Sequence, residues 1–591
     1  MVGTLKRKHC HIFGDTALLI DFSEYENHLD LVHLITAKLI IGHHAWLSDV
    51  VPGMDKVLIK IDFLDRDVSI FRFELMHQIE KLTLEIIAQE TELESLNSSG
   101  KTQHIIQVCF NEEVAPDLSA VAKAAKLSIE EVIYCYKKNI YRVDILGFTP
   151  GFAYCSGLDS KLSLPRKLTP RPSVPAGSVA IAELLTAIYP KSISGGWNLI
   201  GRSANKLFDL TRNPPVLLMP GDLISIEEIS LDQLHQQEKV NAKTSFSSPI
   251  YESKNQLDIA IMQVIKPGAL TSIQGAPRKG FAHWAISAGG AVDLNSLKIA
   301  NTLVGNDPEE AGLEITAVAP TLYFDVPVVV SWVGGECNAI VNGREIKGNR
   351  PVFLPKNTTL HFGKLTLGFR ITLAIAGGFD IPHVLGNQGS HLGAELGLPK
   401  LEKDDLFPLA KPVASKKLLE FLTAGQKPNE VFFPNWYAPS PISLSADLQI
   451  IHAIASTDLN QLPQEDQAAF WGTTWTISAQ INRMGIRLDG DFQPRSNVAG
   501  IPSQGVFFGS IQFPPSKQPI ILLSEHQTTG GYPLFANIIS SDHAILAQLK
   551  PGDRIKFKLV SLEEADILNK IFNTKIKNII DAIRNKLKDT Q

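Results

Sequence analysis

Between Glu525 and Thr529 the chain places a carboxylate, an imidazole, an amide and two hydroxyls in consecutive residues, directly before the turn Gly530-Gly531-Tyr532. Glu525 and His526 can carry protons, Gln527 can read an amide, and Thr528 and Thr529 can donate hydrogen bonds. The glycine pair lets backbone approach a ligand closely. This group suits the binding of a small amide and the movement of protons, which makes Glu525, His526 and Gln527 candidate catalytic residues and Thr528, Thr529 and Tyr532 candidate contacts.

A second polar, Gly/Pro-rich run covers residues 147–202. Arg166, Arg171 and Arg202 have the forked donors that clamp an anionic substrate or a phosphate, with Thr169 and Ser178 as neutral donors beside them. The structural alternative stays open here, since prolines set turns and arginines also satisfy carbonyls at barrel mouths.

Other motifs fail on context. Ser99-Gly100-Lys101-Thr102 ends like a phosphate-binding loop, but Ser95 stands where its first glycine belongs, and the segment runs from a helix into a strand. There is no Gly-x-Ser-x-Gly and no His-Glu-x-x-His. The five cysteines are scattered, so neither a disulfide framework nor a metal site is expected.

These residues must be positioned by several domains, because 591 residues exceed one hydrophobic core. With 56 Lys plus Arg against 61 Asp plus Glu, the net charge of -5 offers no field for nucleic acid or an acidic membrane. No apolar run reaches membrane-spanning length and no signal peptide is evident, so a cytoplasmic location and a small-molecule or protein partner are expected.

Apolar spacing predicts an amphipathic helix over 72–96 (Leu75, Ile79, Leu82, Ile86, Leu93), a strand at 104–110, and helices at 117–126 and 128–138. Ser128 and Glu131 form a capping-box pattern at the start of the last of these. After residue 140, short apolar runs broken by Pro and Gly indicate β-structure. Here a repeat emerges: Gly177-Ser178-Val179, Gly195-Gly196-Trp197 and Pro220-Gly221-Asp222 recur in order as Gly509-Ser510-Ile511, Gly530-Gly531-Tyr532 and Pro551-Gly552-Asp553, with a weaker third copy from Gly377-Gly378-Phe379. Related β-barrel modules are the expected cause. The polar stretch 229–257 is expected to be a flexible linker, and 563–588 a basic amphipathic helix that packs back on the protein through Ile567, Ile571, Ile576, Ile579, Ile580, Ile583 and Leu587.

At GDTALLIDF, GFTPGFAY, PRKLTPRPSVPAGSVAIA, IYP, GGWNLIGRS and MPGD the first half resembles the B-type 5-oxoprolinase family, also called allophanate hydrolase subunit 1. At VIKPGALTSIQ, IANTLVGN, LEIT, AIAGGFDIP, INRMGIRLDG, FFGSIQFPPSKQPIILL, QTTGGYP and LKPGDRIKF the second half resembles the C-type 5-oxoprolinase family, allophanate hydrolase subunit 2. Both families are similar to the carboxyltransferase region of urea carboxylase. The resemblance implies an α+β, mainly β fold: a ferredoxin-like α/β domain (1–100) and a cyclophilin-like β-barrel (101–228), then the linker (229–257), two further cyclophilin-like barrels (258–430 and 431–562) and a C-terminal helical extension (563–591).

The implied reaction is ATP-dependent opening of 5-oxoproline to glutamate, with magnesium accompanying the ATP and a separate A-type 5-oxoprolinase protein as partner. The substrate is then a small acidic amide or lactam, and Tyr189, Arg278, Asp293, Arg483 and Gln512 join the candidate contacts because they lie in or beside the shared motifs. Several polar family positions are replaced: Tyr136 for a histidine, Leu185 for an amide, Ala187 and Gly275 for a glycine and a carboxylate, Gly289 for a serine, and Asn387-Gln388 for Ser-Arg. Two rivals therefore remain: a biotin-dependent carboxyltransferase component acting on urea or a related amide, and a non-catalytic regulatory protein, since the B-type family also includes a bacterial sporulation-kinase inhibitor. The chain has no Met-Lys biotinylation site of its own.

Overall fold

The segment ALLID at Ala17–Asp21 is apolar on both faces, and KVLIKI at Lys56–Ile61 buries Val57, Leu58 and Ile59 in succession, as strands covered on both sides do. They form the centre of a four-stranded antiparallel sheet ordered Cys10–Phe13, Ala17–Asp21, Lys56–Ile61, Leu47–Pro52. Helices His28–Ile41 and Val68–Ala88 cover one face through Leu31, Val32, Ile35, Leu75 and Ile79. The other face, with Phe13, Leu19, Val51 and Leu58, packs on Val506, Phe507, Leu522 and Leu534 of the last barrel. The start of the chain thus docks on its end, which a reading of consecutive domains does not foresee. The computed structural model describes residues 9–63, 68–88, 102–243, 260–410, 430–445, 447–495 and 500–588. The Ser95 to Lys101 run and Leu93 lie outside them.

The repeat corresponds to two barrels of one topology. Each unit has nine strands, the first from Gln103–Val108 to Leu223–Glu228 and the last from Gln449–Ala455 to Arg554–Leu559. Ranked by position, the strands of both are ordered 8-5-6-3-2-9-1, with strands 4 and 7 paired apart as a two-stranded ribbon. In both, the first and ninth strands pair in parallel, and two helices connect strands one and two. The first ring is completed by a bridge between Cys109 and Arg202. The turn glycines explain the repeated motifs: Gly177, Gly221, Gly509 and Gly552 all have φ between 78° and 92°, a region that side chains with a Cβ rarely adopt.

The middle unit departs from the expected third barrel. Its strands register as a six-stranded and a five-stranded sheet that sandwich Val264, Leu313, Leu322, Trp332 and Leu373. Gly377 and Gly378 turn the chain after strand Leu367–Ile375, and Phe379 then makes a single bridge to Leu409 rather than a ribbon. The unit also extends past residue 430, since Phe432 pairs with Phe353 and the Ala438 amide donates to the Asn349 carbonyl.

The helices at Leu118–Ala125 and Ile129–Lys137 form as expected, the second with a complete Ser128/Glu131 capping box. The expected linker is corrected in part: Leu231–Lys243 is a helix, seated through Leu234 against Cys109 and Ile229, and 244–257 lies outside the described residues. Helix Leu562–Lys588 packs back as expected through Ile576, Ile579 and Ile583 against Ile299, Val329 and Phe353. Ile567 and Ile571 remain exposed. All five cysteines are free and buried, and no described helix is long and apolar enough to cross a membrane.

Candidate functional site

Arg483 follows strand Thr474–Ile481 of the last barrel and is the hub of a buried ion network. Its Nε donates to Glu525 Oε1 at 2.7 Å, its Nη1 to Glu314 Oε1, and its Nη2 to the Gly290 carbonyl at 2.6 Å. Glu314 also accepts from the Val292 amide at 2.6 Å. Glu525 accepts from the amides of Leu392 at 3.0 Å and Gly393 at 2.7 Å. Burial alone would raise the Glu525 pKa, yet Arg483, His391 and the Gly393 amide more than offset it, and the carboxyl stays below its ordinary range. Glu525 is thus held toward its ionised form and ties the last barrel to loop 391–394.

His526 is buried and pulled down to about 4, first by burial and then by Lys60 and His391, against the Gln527 carbonyl. Its Nδ1 donates to that carbonyl at 2.6 Å, so in the neutral ring Nε2 is an acceptor. Gln527 Nε2 donates to Gln512 Oε1 at 2.9 Å. Beside this pair the first half of the chain arrives: a Cβ on Gly147 would come within 2.2 Å of Thr529 Oγ1, so the GFTPGFAY and QTTGGYP runs meet face to face. Lys191 of the first barrel donates to the Gly393 carbonyl, which leaves loop 391–394 gripped from both sides.

The seam of the three units is rich in buried polar atoms without a protein partner: Gln512 Nε2, Thr528 Oγ1, Thr529 Oγ1, Ser524 Oγ, Ser390 Oγ, Gln274 Oε1 and Arg278 Nη1. Native interiors rarely leave so many groups unpaired in one place, and a polar ligand or ordered water satisfies them. Among the described residues no cluster of three metal-ligating side chains occurs.

Of the predicted contacts, Gln512, Thr528, Thr529, Gln527 and Arg278 line this seam, and Arg483 and Glu525 brace it. The arginines of the first barrel do not converge. Arg166 is exposed over the Trp197 ring, Arg171 donates to Asp117 at 2.8 Å, and Arg202 pairs with Glu238 of helix Leu231–Lys243 at 3.0 Å. Thr169 and Tyr532 are exposed, Ser178 is buried in a barrel strand, and Tyr189 packs edge-on against Phe152. Asp293 caps helix Leu294–Leu303 through the Ser296 amide and accepts from Gln548, which leaves it a structural role.

Ser287, Glu314, Ser390 and His391 were missed by sequence reasoning. His391 follows the Asn387-Gln388 departure closely, so that departure was the available signal. The two replaced positions also touch, since a Cβ on Gly275 would lie 2.9 Å from Asn387 Oδ1. Tyr136, the other replaced position, is buried with its hydroxyl 2.8 Å from Thr186 Oγ1 inside the first barrel.

Comparison with known proteins agrees with this division. Residues 8–218 match the family model described as carboxyltransferase domain, subdomain C and D, and residues 284–559 match carboxyltransferase domain, subdomain A and B. The second half is 33% identical over 308 residues to the C-type 5-oxoprolinase protein of Escherichia coli K12, covering 52% of this chain and 93% of that protein. The first half is 36% identical over 230 residues to the B-type 5-oxoprolinase protein of Bacillus subtilis 168, covering 38% of this chain and 93% of that protein. The crystal structure of TTHA0988 superposes with a TM-score of 0.74 at 26% identity, covering 92% of this chain and 99% of that one.

Proposed function

We propose, because this chain belongs to the B-type and C-type 5-oxoprolinase families and carries both in one polypeptide, that it is a component of an ATP-dependent amidohydrolase that opens 5-oxoproline to glutamate. The observation that carries the reading is the seam itself, where buried donors and acceptors of the second half lack protein partners and one of them, Thr529, lies directly against Gly147 of the first half. A lactam is a stable amide, and phosphoryl transfer to its oxygen makes its carbon a better electrophile. ATP with magnesium supplies that phosphoryl group, and a separate A-type 5-oxoprolinase protein completes the enzyme.

Within this chain, Gln512 and Gln527 read the ring amide, and Thr528 and Thr529 donate to its oxygen. His526, neutral with an accepting Nε2, orients the attacking water rather than storing a proton. Glu525 and Arg483 hold the frame. The test is reconstitution: the purified chain mixed with its A-type partner releases phosphate from ATP in response to 5-oxoproline, and neither protein alone does so. A complete mixture that gives no lactam-stimulated release overturns the proposal.

A second reading draws on the name of both matching families, a biotin-dependent carboxyltransferase component acting on urea or a related amide. It requires a separate biotinylated partner, because the chain has no Met-Lys site. Co-purification with a biotinylated protein and urea-dependent turnover would favour it.

A further inference from the structure

We infer that Arg278 and Ser287, the latter oriented by His391, form a subsite for the carboxylate of a small acid; the assignment rests on the seam being the substrate site. Arg278 is only 3% exposed. Its Nε donates to the Val384 carbonyl at 3.3 Å and its Nη2 to the Gly389 carbonyl, while its backbone amide donates to the Ala288 carbonyl at 2.8 Å. Nη1 has no protein acceptor. Burial pulls the guanidinium down to about 10 while Glu525 pushes it back up, so it is charged at neutral pH. Glu525 does not pair with it, being spent on Arg483, Leu392 and Gly393.

The free nitrogen faces Gly289. A Cβ there would lie 3.5 Å from Arg278 Nη1 and 3.2 Å from His391 Cδ2, and the residue has a φ of 61°. A side chain at position 289 would crowd this approach, so the glycine that replaces the expected serine keeps it clear.

On the other side stands His391, buried, with its pKa pulled down to about 4 by burial and by Arg278, Arg483 and Lys191 against Glu525. Its Nδ1 accepts from the Ala394 amide at 3.0 Å, which puts the proton of the neutral ring on Nε2. Nε2 then donates to Ser287 Oγ at 2.8 Å. A hydroxyl that accepts from an imidazole has its own hydrogen left to give. Ser287 and Arg278 thus offer one neutral and one cationic donor around Gly289, shielded from water.

Two such donors match the two oxygens of a carboxylate, and the anion compensates a guanidinium that burial has stripped of solvent. A neutral ligand such as urea gives Nη1 no anionic partner. The arrangement therefore selects small acids over neutral amides. Ser287 and Arg278 are binding residues, and His391 is a positioning residue.

Calorimetry on the full chain tests this with 5-oxoproline, its uncharged carboxamide and urea as probes. The acid binds, and both neutral probes bind at least ~30-fold more weakly. Arg278→Met lowers affinity for the acid ~100-fold or more, and Ser287→Ala ~10-fold with an unchanged circular dichroism spectrum. If Arg278→Met does not fold, Ser287→Ala and the acid-to-carboxamide ratio decide. Absence of binding by the acid, equal binding of acid and carboxamide, or wild-type affinity in a folded variant overturns the subsite. Retained acid-selective binding alongside a reconstituted complex that shows no lactam-stimulated phosphate release overturns the enzymatic reading alone. Lactam-stimulated release without acid selectivity overturns only the subsite.

Discussion

Arg483 donates to Glu525 across 2.7 Å with both side chains buried, and the same guanidinium reaches Glu314 in the middle unit. One cation therefore compensates two carboxylates from different units. Arg483→Met removes the ion-pair partner of both and costs about 3–5 kcal/mol, measured by urea denaturation. The exposed pair Arg495–Glu465 is the contrast, and Arg495→Ala leaves the denaturation midpoint in place.

Stability falls on mild acidification. Burial pulls His391 and His526 down to about 4, and His283 likewise. In the unfolded chain a histidine takes up its proton near about 6.5, so between that pH and about 4 the unfolded state binds more protons and folding weakens as pH drops. Asp49 has the opposite sign: burial lifts it to about 6, against the amide of Ala282 and Lys60, so it favours the folded state as pH falls through that value. Burial pulls His543 down with these histidines and lifts Asp144, Asp293 and Asp458 with Asp49; the histidines act first as pH falls through about 6.5, so the loss of stability shows before the aspartates offset it. Each histidine contributes up to about 1.4 kcal/mol per pH unit, and His391→Asn flattens the measured profile by one share.

Lys191 and Glu525 hold the carbonyl and the amide of the same residue, Gly393. Lys191→Met frees one side of loop 391–394. Hydrogen exchange of the Leu392 to Ala394 amides speeds up at least ~10-fold while the barrel strands keep their protection. Unchanged exchange would show that the clasp bears no load.

The arginines of the first barrel give a negative control. Arg166→Ala and Arg202→Ala change affinity for 5-oxoproline by less than ~2-fold, since their partners are Trp197 and Glu238 rather than the seam. A tenfold loss in calorimetry on either variant would place them at the ligand after all.

The legible parts of this chain are local ones. Turn chemistry at Gly177 and Gly509 and at the two Pro-Gly-Asp sites exposed the sibling barrels, because a positive φ before a strand leaves its mark within three residues. The Ser128 capping box was readable for the same reason. Chemistry set by distant partners was not. Arg171 has the look of an anion clamp until Asp117, 54 residues earlier, takes its guanidinium. Glu525 has the look of an acid until Arg483, 42 residues away, fixes its charge. The docking of the N-terminal sheet on the last barrel also left little trace, because both of its faces are apolar and only the fold says which neighbour covers each.

If, as proposed, this chain completes a lactam-opening, ATP-consuming enzyme, glutamate and phosphate form together in a mixture of this chain, its A-type partner, ATP, magnesium and 5-oxoproline, and both can be counted. Equal amounts of the two products, both abolished when the chain is left out, are predicted. Phosphate without glutamate, or the same yield of glutamate without this chain, would contradict it.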